Sequence, residues 1–375
     1  MAGPEAPVEA PQVPAVPAEE IPPERVAYLW GAGATQAEVN NVGAAILNLL
    51  MRDRENLGLG IASRILEKLP DKWKSAFTTD KGLDVEKVIS LLSGSGLAEH
   101  LELADQMRRL YFEDICQKLA QAQVLTNPKL ATALLLLHKN DTLRKTEVLT
   151  GLLTTNHDGL LQLASQNVFG SVNIGVPFTS TELVPSTNGT VPLLHLHGSF
   201  TWTFGLPLKV ALLQETSAYS PNTVWIPPTI LKESKSYPFN RIVGAAYEIL
   251  SRHCDVLRVV GSSLTQNDWN VLSLIFNAQR HRESVNEAPF RVELIMSQES
   301  GEQIMKECSY IRHLILIGFL TDGDFEGYKT GELTADMRNP LYYWLQQKVR
   351  FHQNKGQLGD APLDPVLAQL VGDAP

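Results

Sequence analysis

The sequence predicts an α/β fold: a parallel sheet carrying a helical insertion. Three observations predict it. Apolar, β-favouring runs such as 26–30, 148–153 and 256–260 alternate with stretches of helical periodicity. Two of these runs break directly into glycine before a helix-like segment, at Gly31-Ala32-Gly33 and at Gly261-Ser262-Ser263. A third, residues 148–159, ends in Thr154, Thr155, Asn156, His157 and Asp158. Polar residues at the end of a strand buried on both faces lie where open α/β sheets place their ligands.

With 375 residues, 44% hydrophobic and 19% charged, the chain can bury a sizeable core. A formal net charge of −9 argues against direct nucleic-acid binding, which needs cations to neutralise phosphates. The three cysteines, Cys116, Cys254 and Cys308, form no CxxC pair, so no thiolate zinc ribbon can be built. Their sparse, odd count fits a reducing cytoplasm, and each reads as buried filler. No apolar run reaches the ~18 residues that span a bilayer, and no signal peptide is expected at the N-terminus.

Taken in order, residues 1–24 hold seven of the 22 prolines and are expected to be a disordered tail. Val26–Trp30 is the first strand. The glycine turn after it, extending through Thr35, permits a tight bend and close approach to a phosphate at the following helix's N-terminus. The full GxGxxG spacing is absent, since Gln36 occupies the last position. Residues 40–140 carry helical stripes such as Leu103, Met107, Leu110, Tyr111 and Ile115, with Asp84 as an N-cap. They read as a helical insertion of four or five helices, over a pocket or against another subunit. After the 148–159 strand come a helix over 159–166, a short strand at 172–175 and a polar loop over 179–190. Val191–Phe200 reads as one strand, whose alternation puts His195 and His197 on the same face. A His-x-His metal pair lacks a third ligand at useful spacing. Residues 202–228 read as irregular. A helix over 240–253, the strand 256–260, a helix capped by Asn267 or Asp268, the strand 292–296, a helix at 302–308 and the strand 314–319 complete a βαβαβ half. A last helix lies near 340–351, and residues 354–375 read as a flexible tail.

In their order and separation, the Gly-Ala-Gly turn, the Thr-Thr-Asn-His-Asp run, the His197-Gly198 pair and the Gly-Ser-Ser-Leu turn resemble the sirtuin superfamily. The resemblance covers about residues 26–320 and implies a Rossmann-like NAD-binding domain over 25–353. It implies that Gly31, Ala32, Gly33 and Thr35 face the NAD phosphates, and that Asn156 is the catalytic asparagine beside the nicotinamide ribose. Thr155 varies the same run, Asp158 would engage the nicotinamide carboxamide, and His197 would be the general base. Gly261, Ser262 and Ser263 would meet the phosphate and adenosine side. The chain departs from protein-deacylating sirtuins in lacking the zinc ribbon, in Gln36-Ala37-Glu38-Val39-Asn40 after the glycine turn, and in Met296-Ser297-Gln298 after the penultimate strand. It is closer to the zinc-free sirtuin-like domains of bacterial anti-phage systems, which are NAD hydrolases. The resemblance therefore implies a cytoplasmic NAD hydrolase with NAD as substrate and no metal, working as a homo-oligomer or with a partner defence protein. An NAD-dependent protein deacylase or ADP-ribosyltransferase, and a non-catalytic NAD or ADP-ribose sensor, are the alternatives.

Overall fold

The structure, a computed structural model, describes residues 22–41, 71, 78–79, 82–83, 85–121, 128–139, 146–170, 173–174, 191–203, 209–210, 219–220, 222–229, 232, 234–262, 264 and 268–295. The expectations for residues 1–21 and 354–375, Asp84, Asn267, Ser263, the 179–190 loop, the 296–298 segment, the helices at 302–308 and 340–351 and the strand at 314–319 lie outside these residues; Glu24, expected to end the disordered tail, instead begins the first strand, paired with Glu147.

Along the chain the elements are β1 (Glu24–Trp30), α1 (Ala32–Asn41), the two-residue strands β2 (Thr78–Thr79) and β3 (Gly82–Leu83), α2 (Val85–Gly94), α3 (Ala98–Gln121) and α4 (Lys129–Lys139). They continue with β4 (Glu147–Thr154), α5 (Leu160–Phe169), β5 (Leu193–His195), β6 (Gly198–Thr203), β7 (Lys209–Val210), β8 (Thr223–Trp225), α6 (Phe239–Arg252), β9 (Val256–Val260), α7 (Trp269–Ser284) and β10 (Arg291–Ile295). The main sheet has five strands in the order β10-β9-β1-β4-β5, all paired in parallel. β1 is central, and the chain fills one side of it before returning to fill the other. Such a reversal leaves a crevice at the strands' carboxyl ends.

The strand sequences explain the layering. Side chains alternate across a strand. Ala27 and Leu29 of β1 join Leu153, Leu257 and Val259 under α6 and α7. Val26, Tyr28 and Trp30 join Leu152, Val256 and Val260 under α4 and α5. α6 meets the sheet through Ile242, Ala246, Ile249 and Leu250, a three-to-four spacing that keeps them on one stripe. Burying each large apolar side chain contributes roughly 1.5–3 kcal/mol.

One charged network lies inside this packing. Arg258 of β9, 1% exposed, donates to both oxygens of Glu147 at 2.6 and 2.8 Å and to Glu293 at 2.7 Å. Its Nη1 also donates to the Tyr28 hydroxyl at 2.9 Å. The charge is thus matched across β4, β9, β10 and β1, and burial, with the Glu147 and Glu293 carboxylates nearby, holds the Tyr28 phenol well above its ordinary pKa against the opposing pull of Arg258.

The structure corrects several expectations. The 191–200 run is not one strand. β5 stops at His195, Leu196 and His197 form a turn, and β6 leaves in a separate antiparallel sheet with β7 and β8. The reason is Gly198, at φ +75°, where a Cβ would sit 2.7 Å from the Trp225 Cα. His195 and His197 therefore do not share a strand face. The 202–228 stretch, read as irregular, supplies β7, β8 and the end of β6. Of the short strand expected at 172–175, the described residues are Asn173 and Ile174, and Asn173 bridges Pro192 in parallel. Asp268 stands at the N-cap of α7 without capping it, because its carboxylate is drawn to Lys232 at 2.8 Å.

Candidate functional site

The carboxyl ends of β1, β4, β5 and β9 bring most of the predicted residues together. The β1 and β9 turns interlock. Gly31 N donates to Val260 O at 2.8 Å and Gly33 N to Gly261 O at 2.7 Å. A Cβ on Gly31 would sit 2.5 Å from the Ser262 Cβ, and one on Gly261, at φ +61°, would collide with Ala34 N. Glycine is required here by the approach of one turn to the other. The Gly31 and Gly33 amides, expected to face a phosphate, are taken up by that approach. Ala32 and Gly33 open α1 at the surface, and the buried Ser262 hydroxyl accepts from Leu264 N at 3.3 Å.

The polar run after β4 is clasped to α1. The Asn156 amide donates to Gly31 O at 2.9 Å and to the Thr35 hydroxyl at 2.8 Å. The Thr35 hydroxyl in turn donates to Asp158 Oδ2 at 2.8 Å, and Asp158 Oδ1 accepts from Leu160 N at 3.1 Å. Asp158 thereby closes the turn that starts α5, a frequent use of aspartate. Burial raises its carboxyl pKa, against the hydrogen bonds from Thr35 and Leu160. The Asn156 amide hydrogens are both committed inward, so its carbonyl oxygen is the polar atom left for a ligand.

His197 completes the group. Its Nδ1 lies 3.2 Å from Thr155 O, and its Nε2 lies 3.3 Å from the amide nitrogen of Asn270 in the first turn of α7. A carbonyl oxygen can only accept and an amide nitrogen can only donate, so Nδ1 carries the proton and Nε2 the lone pair. Burial pushes the imidazole pKa down to about 4, and the charge of Lys232 works the same way. His197 is therefore neutral at pH 7 and offers a lone pair.

Beyond the predicted residues, the site has an aromatic wall. The ring of His157 stacks on Phe200 at 5.3 Å and meets Trp225 edge-on at 5.1 Å, while Tyr111 of α3 lies parallel to Trp225 at 6.1 Å. Phe112, Ile115 and Leu119 of α3 pack with Leu160 and Phe200. The insertion thus lies over the carboxyl end of β4. Lys232 ties the N-terminus of α7 to α2 through Asp268 at 2.8 Å and Glu86 at 3.6 Å. Asn270, Trp225 and Lys232 were not foreseen: no motif marks them, and they reach the site only through the tertiary fold.

Among the described residues no group of three or more His, Cys, Asp or Glu side chains is placed to hold a metal ion, and no helix is long and apolar enough to cross a membrane. Burial pushes the thiols of Cys116 and Cys254 up to about 12, which suppresses the nucleophilic thiolate. Neither a protein-family model nor a curated protein sequence matches the chain at a significant level.

Proposed function

We propose that the chain is an NAD hydrolase built on a Rossmann-like domain of sirtuin type, cleaving the nicotinamide–ribose bond to give nicotinamide and ADP-ribose. The reading rests on one observation: Asn156 and a neutral His197 are both fastened to the same 154–158 run, at the carboxyl ends of strands whose order reverses at β1. In this reaction the C–N glycosidic bond breaks and its electron pair leaves with nicotinamide. Water attacks the oxocarbenium-like sugar carbon, and the water proton passes to His197 Nε2 and then to solvent. The Asn156 carbonyl oxygen orients the ribose or the attacking water. The biological setting we infer is anti-phage defence by NAD depletion in the cytoplasm, as a homo-oligomer or with a partner defence protein.

A second reading, a non-catalytic NAD or ADP-ribose sensor, is favoured by one feature. The Asn156 amide and both Asp158 oxygens are already satisfied within the fold. A protein deacylase or ADP-ribosyltransferase would also need a second substrate in the cleft.

Incubating the purified full chain with NAD and following nicotinamide by chromatography tests these readings. Release without an acceptor, lost by ~10²-fold or more in Asn156→Ala and in His197→Ala with an unchanged circular dichroism spectrum, supports the hydrolase. Undiminished release in Asn156→Ala would refute the assignment. Binding of NAD without release would favour the sensor.

A further inference from the structure

The contact between Asn270 and His197 assigns a role to a residue outside every recognisable motif. Asn270 sits at the second position of α7, immediately after the exposed Trp269, and reaches the imidazole from the far side of the sheet's central strand. The imidazole is gripped at both nitrogens, by a main-chain carbonyl on one side and a side-chain amide on the other. If the Asn270 amide were flipped, its oxygen would require a proton on Nε2. Nδ1 would then turn a lone pair on the Thr155 oxygen, so the flip is disfavoured. The Asn270 oxygen itself is buried and has no hydrogen-bond partner. A buried acceptor left unsatisfied is costly, and a donor arriving at this point would recover that cost.

We propose that Asn270 is a positioning residue for His197: it fixes the Nδ1–H tautomer by donating to Nε2, and yields that lone pair to an incoming water, or to one of two neighbouring sugar hydroxyls, whose second hydrogen gives the Asn270 oxygen a donor. The proposal rests on His197 being the base of the hydrolase reaction, but its first consequence concerns the resting tautomer and needs no substrate. The donor class is water, whose two hydrogens serve the Asn270 oxygen and Nε2, or two neighbouring sugar hydroxyls, one for each. Lys232 and Asp268 act on His197 through space in opposite senses, and the His157 ring lies 6.2 Å from it.

The test uses the full chain labelled with 15N-histidine. Long-range proton–nitrogen correlation resolves Nδ1 from Nε2, and the His197 signals among the nine histidines are identified by their loss in His197→Gln. Wild type should show a protonated Nδ1 and an unprotonated Nε2. In Asn270→Ala the Nε2 signal should move and the two tautomers mix. In Asn270→Asp a carboxylate replaces the donor, so Nε2 should become protonated and the His197 pKa should rise. Nicotinamide release, if present in wild type, should fall ~10- to 100-fold in kcat in Asn270→Ala with KM nearly unchanged, the range seen when an orienting partner of a working histidine is lost. Its acid limb should move to higher pH in Asn270→Asp. A residue serving only to start α7 would lower the melting temperature of both variants equally and leave the His197 nitrogens as they were; that outcome overturns the proposal. Shifted nitrogens in a protein that releases no nicotinamide would uphold Asn270 as the partner of His197 while sinking the hydrolase reading.

Discussion

The Thr35 hydroxyl serves two partners at once, accepting from the Asn156 amide and donating to Asp158. Valine at this position keeps the shape and removes both bonds, leaving a buried donor and a buried acceptor unpaired. Thr35→Val should therefore destabilise the fold by about 1–3 kcal/mol, seen as a lower urea midpoint with an unchanged slope, while Thr35→Ser should stay close to wild type. An unchanged midpoint in Thr35→Val would show that the clasp contributes nothing. His197 supplies a second expectation at this scale. With its pKa at about 4, nicotinamide release should be flat from pH 6 to 8 and decline only as pH drops towards 4, where the lone pair is protonated. An acid limb centred near 6.5 would mean that the imidazole is solvated. The sequence marks Asn156, Asp158 and His197 by residue type and order. It cannot show that Thr35 joins two of them, because 121 and 123 residues separate it from its partners.

At the scale of elements, α1 and α4 are held together by one buried carboxyl group. The residues after the glycine turn continue α1, and Glu38 on that helix accepts the backbone amide of Ala131 in the first turn of α4, with Leu130 and Lys129 alongside. A helix N-terminus favours an anion, but burial outweighs it and pushes the Glu38 pKa up to about 7. A folded pKa above the unfolded one means that the stabilisation is complete below about 4.5 and is lost as pH rises through 7. Thermal midpoints of Glu38→Gln should accordingly gain on those of wild type as pH rises from 4.5 to about 7. Parallel curves across that range would show Glu38 to be charged throughout. The strands β1, β4, β9 and β10 were legible because each is a short apolar run bounded by polar or glycine residues. The break between β5 and β6 was not, since Leu196 and His197 read like the rest of the run. Only the meeting of Gly198 with β8 explains the turn.

For the whole molecule, three histidines, His157, His195 and His197, are buried and uncharged around β5 and the end of β4. Burial lowers all three, His195 and His197 to about 4. The unfolded chain takes up these protons near pH 6.5 and the folded chain does not, so stability should fall as pH is lowered from 6.5 through 4. Glu38 and Asp158 act in the opposite sense over part of that window, while His253, also lowered by burial, adds to the three, leaving acid destabilisation as the net of four groups against two among the described residues. Calorimetry should show a falling midpoint over that range and a shallower fall in His195→Leu, which removes a fully buried imidazole. A level profile from 6.5 to 4 would show that these rings reach water. That the sheet is parallel could be read from the alternation of runs and helices. That the chain starts in the middle of the sheet and fills one flank before the other could not, because strand order is a property of crossovers rather than of any local pattern. The mutual approach of the β1 and β9 turns has a further effect on traffic. Where those bends are zipped backbone to backbone, a visiting molecule finds no doorway between them. Among the described residues the ends of β4 and β5 are the side left to it, and there the long helix α3 packs beside Leu160 and Phe200 as a threshold.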